Sequence, residues 1–581
     1  MRRLVVVALV FLPLLARAAP DPLATEAERS GFRRTGRYEE VERLCAGFAA
    51  AHPKRVRCET FGRTPEGRPM LALVASAEGT VDAARARPVL LIQGGIHAGE
   101  IEGKDALFQV LREVLAGTLV PGLLDKVTLV LVPVFNVDGH ERFGPGNRPN
   151  QRGPEEMGFR TTAQNLNLNR DYVKAEAPEM QAMLALWEEW DPTVYVDLHT
   201  TDGAKFEHDV SVALAPDIPR PDGLDKLAAG LGDALQARLV ATKHLPLAFY
   251  PSFRVNDDPA SGFEVKSTEP RFSHAYAGAR NRIGILVETH SWKTYRERVA
   301  TTRDVLAALF ERAHQDAAAW RAAVVRADEQ AGRIGGTDVV LMTAADGTSR
   351  TIEFRGYAYT VAKSELSGRS WIAYDETRPQ IWRLPLYDRQ RPELTVHAPR
   401  AGYLVPAAHA AWVAAKLRAH GLRFRALGTA LRDVPVEAFR ASDVSYAKPF
   451  EGRPRIKIQG AWRAEKHSLA AGSLFVPIDQ PRAYLVLHLL DPTAPDSLVQ
   501  WGYFNAMFEQ KEYMEEYVLE AEARRMLARD PKLKEEFERR MRDDAKFAAD
   551  PEQRLRFFYL RHPAVDDRID LVPVLRVDRA P

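Results

Sequence analysis

The chain has only 2 cysteines in 581 residues. That scarcity excludes a disulfide-dense scaffold and a metal cluster built from cysteine. Charge of one sign is also missing, with 80 Lys and Arg against 78 Asp and Glu. Phosphate binding normally shows as a basic excess or stripe, so no nucleic-acid partner is expected. The sequence shows neither internal repeats nor low-complexity tracts, and 46% of its residues are hydrophobic. A disordered chain is thereby excluded, and there is room for two or three domains. No stretch reaches eighteen uninterrupted apolar residues, so no membrane span is expected once an N-terminal leader is removed.

Residues 1–18 carry that leader signal. Arg2 and Arg3 precede an apolar run, Leu4 to Ala16, which ends in Ala16-Arg17-Ala18. Charged, apolar and small segments in this order read as a secretory signal peptide, so the protein is expected to be exported, to a periplasm or outside the cell. Removal of Arg2, Arg3 and Arg17 with the leader turns the formal charge of +2 into −1. An oxidising compartment gives the two cysteines a meaning. A helix around Val41 to Ala51 and a strand around Arg55 to Phe61 could bring Cys45 and Cys58 together as a disulfide, a pairing the sequence leaves open.

From about residue 26 to residue 333, short apolar runs alternate with amphipathic segments. Val89 to Gln93, Val127 to Phe135, Val194 to Leu198 and Ile283 to Val287 have strand length and are nearly continuous, as in strands covered on both faces. Between them, sets such as Ala106, Leu107, Val110, Leu111, Val114 and Leu115 recur at helical spacing. This alternation predicts an α/β fold with a mainly parallel sheet sandwiched by helices. Beyond Gly332, Gly335 and Gly336 the texture changes, and a C-terminal α+β region is expected. We divide it into a β-rich part, 334–440, and an α+β part with a helical tail, 441–581. In the tail, Glu509 to Arg542 reads as a solvated amphipathic helix rather than a coiled coil.

In parallel sheets the ligand crevice lies beyond the carboxyl ends of the strands, so those positions carry the functional signal. After the first strong run comes Gly94-Gly95-Ile96-His97-Ala98-Gly99-Glu100, and after the third Asp197-Leu198-His199-Thr200-Thr201. His97, Glu100 and His199 form a His₂Glu set that leaves one position for water, the pattern of a catalytic zinc. The fourth run ends in Val287-Glu288-Thr289-His290. A glutamate there can take a proton from water and return it to a leaving amine. The plainer reading of Glu288 is a buried carboxylate paired with an arginine such as Arg282. Two arginine motifs lie between the ligands, Asn147 to Gly153 with Arg148 and Arg152, and Asn167-Leu168-Asn169-Arg170. A guanidinium can clamp a carboxylate or stabilise an oxyanion.

The order H-x-x-E, N-x-D-G (Asn136 to Gly139), an arginine loop, N-R, D-L-H-T-T and V-E-T-H resembles the zinc metallocarboxypeptidases, the M14 peptidases. The resemblance covers about residues 35 to 315, and the C-terminal part resembles extensions of some bacterial members. It implies one zinc ion held by His97, Glu100 and His199, with Glu288 as general acid/base. It also implies that Asn169 and Arg170 bind a substrate's C-terminal carboxylate, and that Arg152 polarises the scissile carbonyl, with Arg148 as its competitor. Substrates would be peptide or protein C-termini. Gly99 stands where the digestive enzymes often have arginine, and Asn167 stands where an aspartate supports a ligand histidine. Tyr250 and Tyr276 are candidates for the family's mobile tyrosine. The segment Ser261 to Ala279, with Ser273 and His274, should line the pocket for the cleaved residue.

The reading is therefore a zinc metallocarboxypeptidase, with a zinc amidase or D,L-peptidase acting on cell-wall peptides as the alternative. A silent protein that only binds C-termini is disfavoured, because all three ligands and Glu288 are present.

Overall fold

The structure, a computed structural model, describes residues 21–581. The expected leader lies outside the described residues. The N-terminal half is built on β1 (Val56–Arg63), β2 (Pro69–Ala75), β3 (Val89–Gly94), β4 (Thr128–Val132), β5 (Val194–Thr200), β6 (Val210–Ala215), β7 (Pro246–Leu247), a two-residue β8 (Phe263–Glu264) and β9 (Ile283–Thr289). All but β8 form one sheet in the order β1-β2-β4-β3-β5-β9-β6-β7. The central strands β4, β3, β5 and β9 run parallel, while β1, β2 and β6 pair antiparallel at the flanks. The sheet is thus mixed and mainly parallel, as expected.

Every residue of β3, β4, β5 and β9 is buried, which is why those runs are apolar with little alternation. Residues three apart in a strand point to opposite faces. On β5, Tyr195 meets Trp187 of helix Pro178–Trp190. Leu198, on the other face, packs over Gly103 of helix Glu102–Ala116. Helices therefore cover both sides. Helix Tyr295–Ala331, started by a Thr294–Glu297 capping box, lies along helices Glu102–Ala116 and Leu224–Ala241. Near the N-terminus, helix Tyr38–Ala51 and β1 bring the two cysteines together, and Cys45 and Cys58 are bonded with a Cα separation of 5.3 Å.

The C-terminal half starts with β10 (Asp338–Ala345), β11 (Arg350–Lys363), β12 (Ser370–Tyr387) and β13 (Gln390–His397). β10 pairs with β13 and β11 with β12, and the end of β12 adds the short β8 in parallel. A six-stranded sheet follows, made of β14 (Gly402–Val405), β15 (Arg425–Ala426), β16 (Leu431–Tyr446), β17 (Ile456–Leu469), β18 (Leu474–Pro477) and β19 (Leu571–Val577), in the order β15-β18-β14-β19-β16-β17.

That sheet corrects the boundary expected near Arg440. Arg440 lies inside β16, whose ladder with β17 runs from Leu431 to Tyr446, so 334–440 and 441–581 are not separate units. Polar residues along the exposed stretches of β16 lower its apolar content without ending the strand. Helix Tyr295–Ala331 ends beside the change of texture near Arg333, and one hydrophobic core continues through Trp320, Ile334, Val396, Tyr403 and Leu485. The tail is four helices rather than one. Asp530, Asp544 and Asp550 each cap the next helix, and Leu519, Phe547 and Phe557 pack into a small core of their own. Among the described residues, no helix is long and apolar enough to cross a membrane.

Candidate active site

The site lies at the carboxyl ends of β3, β5 and β9, where a mainly parallel sheet places its crevice. Gly95, with φ +62°, turns the chain out of β3, and the loop then carries His97 and Glu100 into helix Glu102–Ala116. His199 and Glu288 are the penultimate residues of β5 and β9, and these two are register partners across adjacent parallel strands.

His97, Glu100 and His199 are buried, and their ligand atoms lie within 4.8 Å of one another. Nδ1 of His97 is 3.0 Å from Glu100 Oε1, and Nδ1 of His199 is 2.9 Å from Glu100 Oε2. The far ring nitrogens are already engaged, His97 Nε2 with Asn167 Oδ1 at 3.1 Å and His199 Nε2 with Asp197 Oδ2 at 2.7 Å. Fixing Nε2 leaves both Nδ1 atoms for a metal, so the donor set fits a zinc ion. Asn167 does support His97, as an uncharged acceptor. The carboxylate support belongs to His199, through Asp197 two positions earlier on the same face of β5. Asp197 Oδ1 in turn accepts from Gln93 Nε2 at 2.9 Å.

Electrostatics follow from this packing. Burial works against an ionised Glu100, but Arg148 and the histidines hold its carboxyl well below the usual range. Burial pushes His97 down to about 4. Burial also opposes charge on His199, yet Asp197, Glu288 and Glu100 raise it well above the ordinary imidazole value. Glu288 is pushed up to about 8, by burial first and then by Glu100, Asp197 and Asp202, against the pull of His199. A cation at the three ligands would move that value down. Arg282, the alternative partner for Glu288, pairs instead with Asp191 and Asp328.

A cavity of about 520 Å³ opens over the cluster, lined by His97, Glu100, His199 and Glu288 together with Asn169, Arg170, Arg160, Tyr250, Asp217 and His274. Arg170 stacks over the Phe272 ring at 4.3 Å and donates from Nη1 to Asn169 O at 2.7 Å. No carboxylate of the described residues pairs with it, and burial and the neighbouring Arg160 and Arg271 lower its pKa to about 10. Of the two tyrosines, Tyr250 faces the cavity with its hydroxyl 3.4 Å from Asp202, whereas Tyr276 is buried against His420 and Arg280. Ser273 is buried and its backbone N–H donates to Asn169 Oδ1 at 3.4 Å.

Arg152 is not brought to the site. Its guanidinium binds Glu376 at 2.6 Å and is 44% exposed. The arginine that reaches the cluster is Arg148, with Nη2 2.6 Å from Glu100 Oε1, and Arg160 follows at 3.6 Å. Gly99 makes this possible, since a Cβ there would stand 2.5 Å from Arg148 Cγ and 2.6 Å from Gly158 O. The loop between Asn136 and Asn167 has no periodicity from which its arginines could be told apart. Asp197, by contrast, was legible as a partner of His199 from the period of two.

Residues 41–262 match the family described as zinc carboxypeptidase. That segment, under half of the chain, carries His97, Glu100 and His199 and is similar to the M14 zinc carboxypeptidases. Carboxypeptidase 2 of Trichophyton rubrum is 21% identical over 485 residues, spanning 80% of this chain and 84% of that protein. Carboxypeptidase D of Drosophila melanogaster is 30% identical over 141 residues, 23% of this chain and only 10% of that protein. A metallo-carboxypeptidase structure from Burkholderia cenocepacia covers 47% of this chain and 69% of its own at 19% identity, with a TM-score of 0.35. The chain is also 32% identical, over 117 residues (18% of this chain and 27% of the relative), to the inactive metallocarboxypeptidase ECM14 of Saccharomyces cerevisiae. Relatedness therefore leaves activity to be argued from the residues. His97, Glu100 and His199, which could hold a metal ion, share one cavity with Glu288 of the neighbouring strand.

Proposed function

We propose that the chain is an exported metallocarboxypeptidase that removes the last residue of peptides or proteins, with Glu288 as its proton carrier. The observation that carries this reading is Arg170, an arginine without an ion pair among the described residues, in the same cavity as Glu288 and the three ligands. A carboxylate bound by Arg170 and Asn169 would be a chain end, and the bond presented to Glu288 would be the last one. Zinc, when held by His97, Glu100 and His199, supplies polarisation of a carbonyl and a more acidic water. Glu288 accepts a proton from the attacking water and passes it to the leaving amine, a role suited to a carboxyl whose pKa is raised toward neutrality. Arg160, which lines the cavity, takes the carbonyl-polarising part first expected of Arg152, while Arg148 is paired with Glu100. Tyr250 lines the same cavity. The leader pattern and the Cys45–Cys58 bond support export.

Replacement Glu288→Gln tests the proton role. The expected outcome is a loss of about 10² to 10⁴ in kcat on a free C-terminal peptide with the metal content unchanged. Hydrolysis at the normal rate by the zinc-loaded variant would show that another group carries the proton.

A further inference from the structure

The residues beyond 333 have had no task so far, yet they hold the carboxylate clamp from two sides. On one side is the run Arg271-Phe272-Ser273. Asp496, a fully buried carboxylate of the C-terminal half, accepts from the Arg271 backbone N–H at 2.8 Å and from its guanidinium at 3.0 Å. The next residue, Phe272, is the platform under Arg170. The one after that donates its N–H to Asn169. On the other side, Glu451 Oε2 accepts from the backbone N–H of Asn167 at 2.8 Å, and Asn167 Oδ1 accepts from the N–H of Asn169 at 3.0 Å. The intervening cavity wall is stitched to the same half. β8 pairs with β12, the Val265 N–H donates to Tyr387 O at 2.9 Å, and Gln390 Nε2 donates to Val265 O at 2.7 Å.

We infer that Asp496 and Glu451 are positioning residues for substrate binding, through which the C-terminal half sets the geometry of Asn169 and Arg170. The inference rests on the reading of Arg170 as the carboxylate clamp. A buried carboxylate that binds both a backbone N–H and a guanidinium fixes position closely, because leaving any of these groups unpaired is unfavourable. Displacement of the Phe272 platform by a fraction of an ångström weakens a two-point clamp without touching Glu288 or the metal ligands. The Glu451 side also reaches His97 through Asn167 Oδ1, so zinc content is determined with KM for that variant.

The test compares one peptide with a free and with an amidated C-terminus, on full-length zinc-loaded protein. Wild type should prefer the free end. Asp496→Asn should raise KM for the free peptide by about ten-fold and narrow that preference, with kcat and zinc content near wild type. Glu451→Gln should act in the same direction, and Asp496→Glu should recover part of the loss. Asp491→Asn serves as the control. Asp491 forms an equally buried pair with Arg576 at 2.5 Å inside the C-terminal half, so this change should lower thermal stability and leave KM alone. A wild-type preference that survives both Asp496→Asn and Glu451→Gln overturns the inference while the clamp stands. A wild type with no preference overturns the clamp and the inference together. Should Asp496→Asn fail to fold, an unchanged KM in Glu451→Gln is sufficient to overturn it.

Discussion

The Arg148 guanidinium stands 2.6 Å from the Glu100 carboxylate, and both side chains are buried. This pair separates the two arginines of the loop, because Arg152 is turned outward to Glu376. Arg148→Ala leaves the buried Glu100 carboxylate without its nearest cation and is expected to lower kcat by at least about ten-fold. Arg152→Ala removes a half-exposed ion pair and should change kcat by no more than about two-fold. Steady-state kinetics with metal content determined on the same samples decide between them, and the reverse ranking would make Arg152 the arginine that supports the site.

The unequal support of the two histidines gives a second expectation. His199 leans on the Asp197 carboxylate and His97 on the Asn167 amide. Asp197→Asn should weaken zinc binding by about 10- to 100-fold, and Asn167→Asp should strengthen it. Competition with a chelator of known affinity measures both without reference to turnover. Equal zinc affinities across the series would mean that the outer partners do not tune this site.

The residues that could be read from sequence are those whose position follows from a strand end. His97, Glu100, His199 and Glu288 each follow an apolar run, and parallel strands bring such ends to one edge. Arg152 was expected ahead of Arg148, and the fold turns Arg148 inward instead, since an aperiodic loop does not show which side chain faces the site. The strand β16 was cut in two at Arg440 because its exposed stretches mimic a linker. Least legible was the contact of Arg271 with Asp496, 225 positions away. A pairing across that distance leaves no local pattern, so half the chain had no role until the fold placed it behind Phe272.

Asp217 lies just beyond β6 and opens onto the cavity, and no cation of the described residues pairs with it. Its side chain is exposed to solvent within that opening. An unpaired acid here favours a positively charged side chain on the cleaved residue. Peptides ending in Lys or Arg should be cleaved faster than those ending in Glu. Asp217→Asn should reduce the ratio by about ten-fold, the value of a charge-assisted hydrogen bond. A ratio insensitive to this substitution would assign the selectivity to another residue.

Stability should depend on pH through His244, which joins three separate segments. Its Nδ1 is 2.7 Å from Asp209 and its Nε2 3.0 Å from Asp304 in helix Tyr295–Ala331. Hydrogen bonds to these two carboxylates raise its pKa from 6.5 to about 9. A group whose pKa is higher folded than unfolded stabilises the folded state fully below the unfolded value. That contribution fades as pH rises through the folded value, so the window runs from about pH 6.5 to pH 9. After allowance for solvent screening of a half-buried group, its size is on the order of 1 to 2 kcal/mol. Urea unfolding of wild type and His244→Gln at pH 6 and pH 9.5 measures it. The two proteins should differ clearly at pH 6 and converge at pH 9.5, because a neutral imidazole can donate to only one of the two carboxylates. A gap of equal size at both values would mean that His244 acts by packing and not by charge.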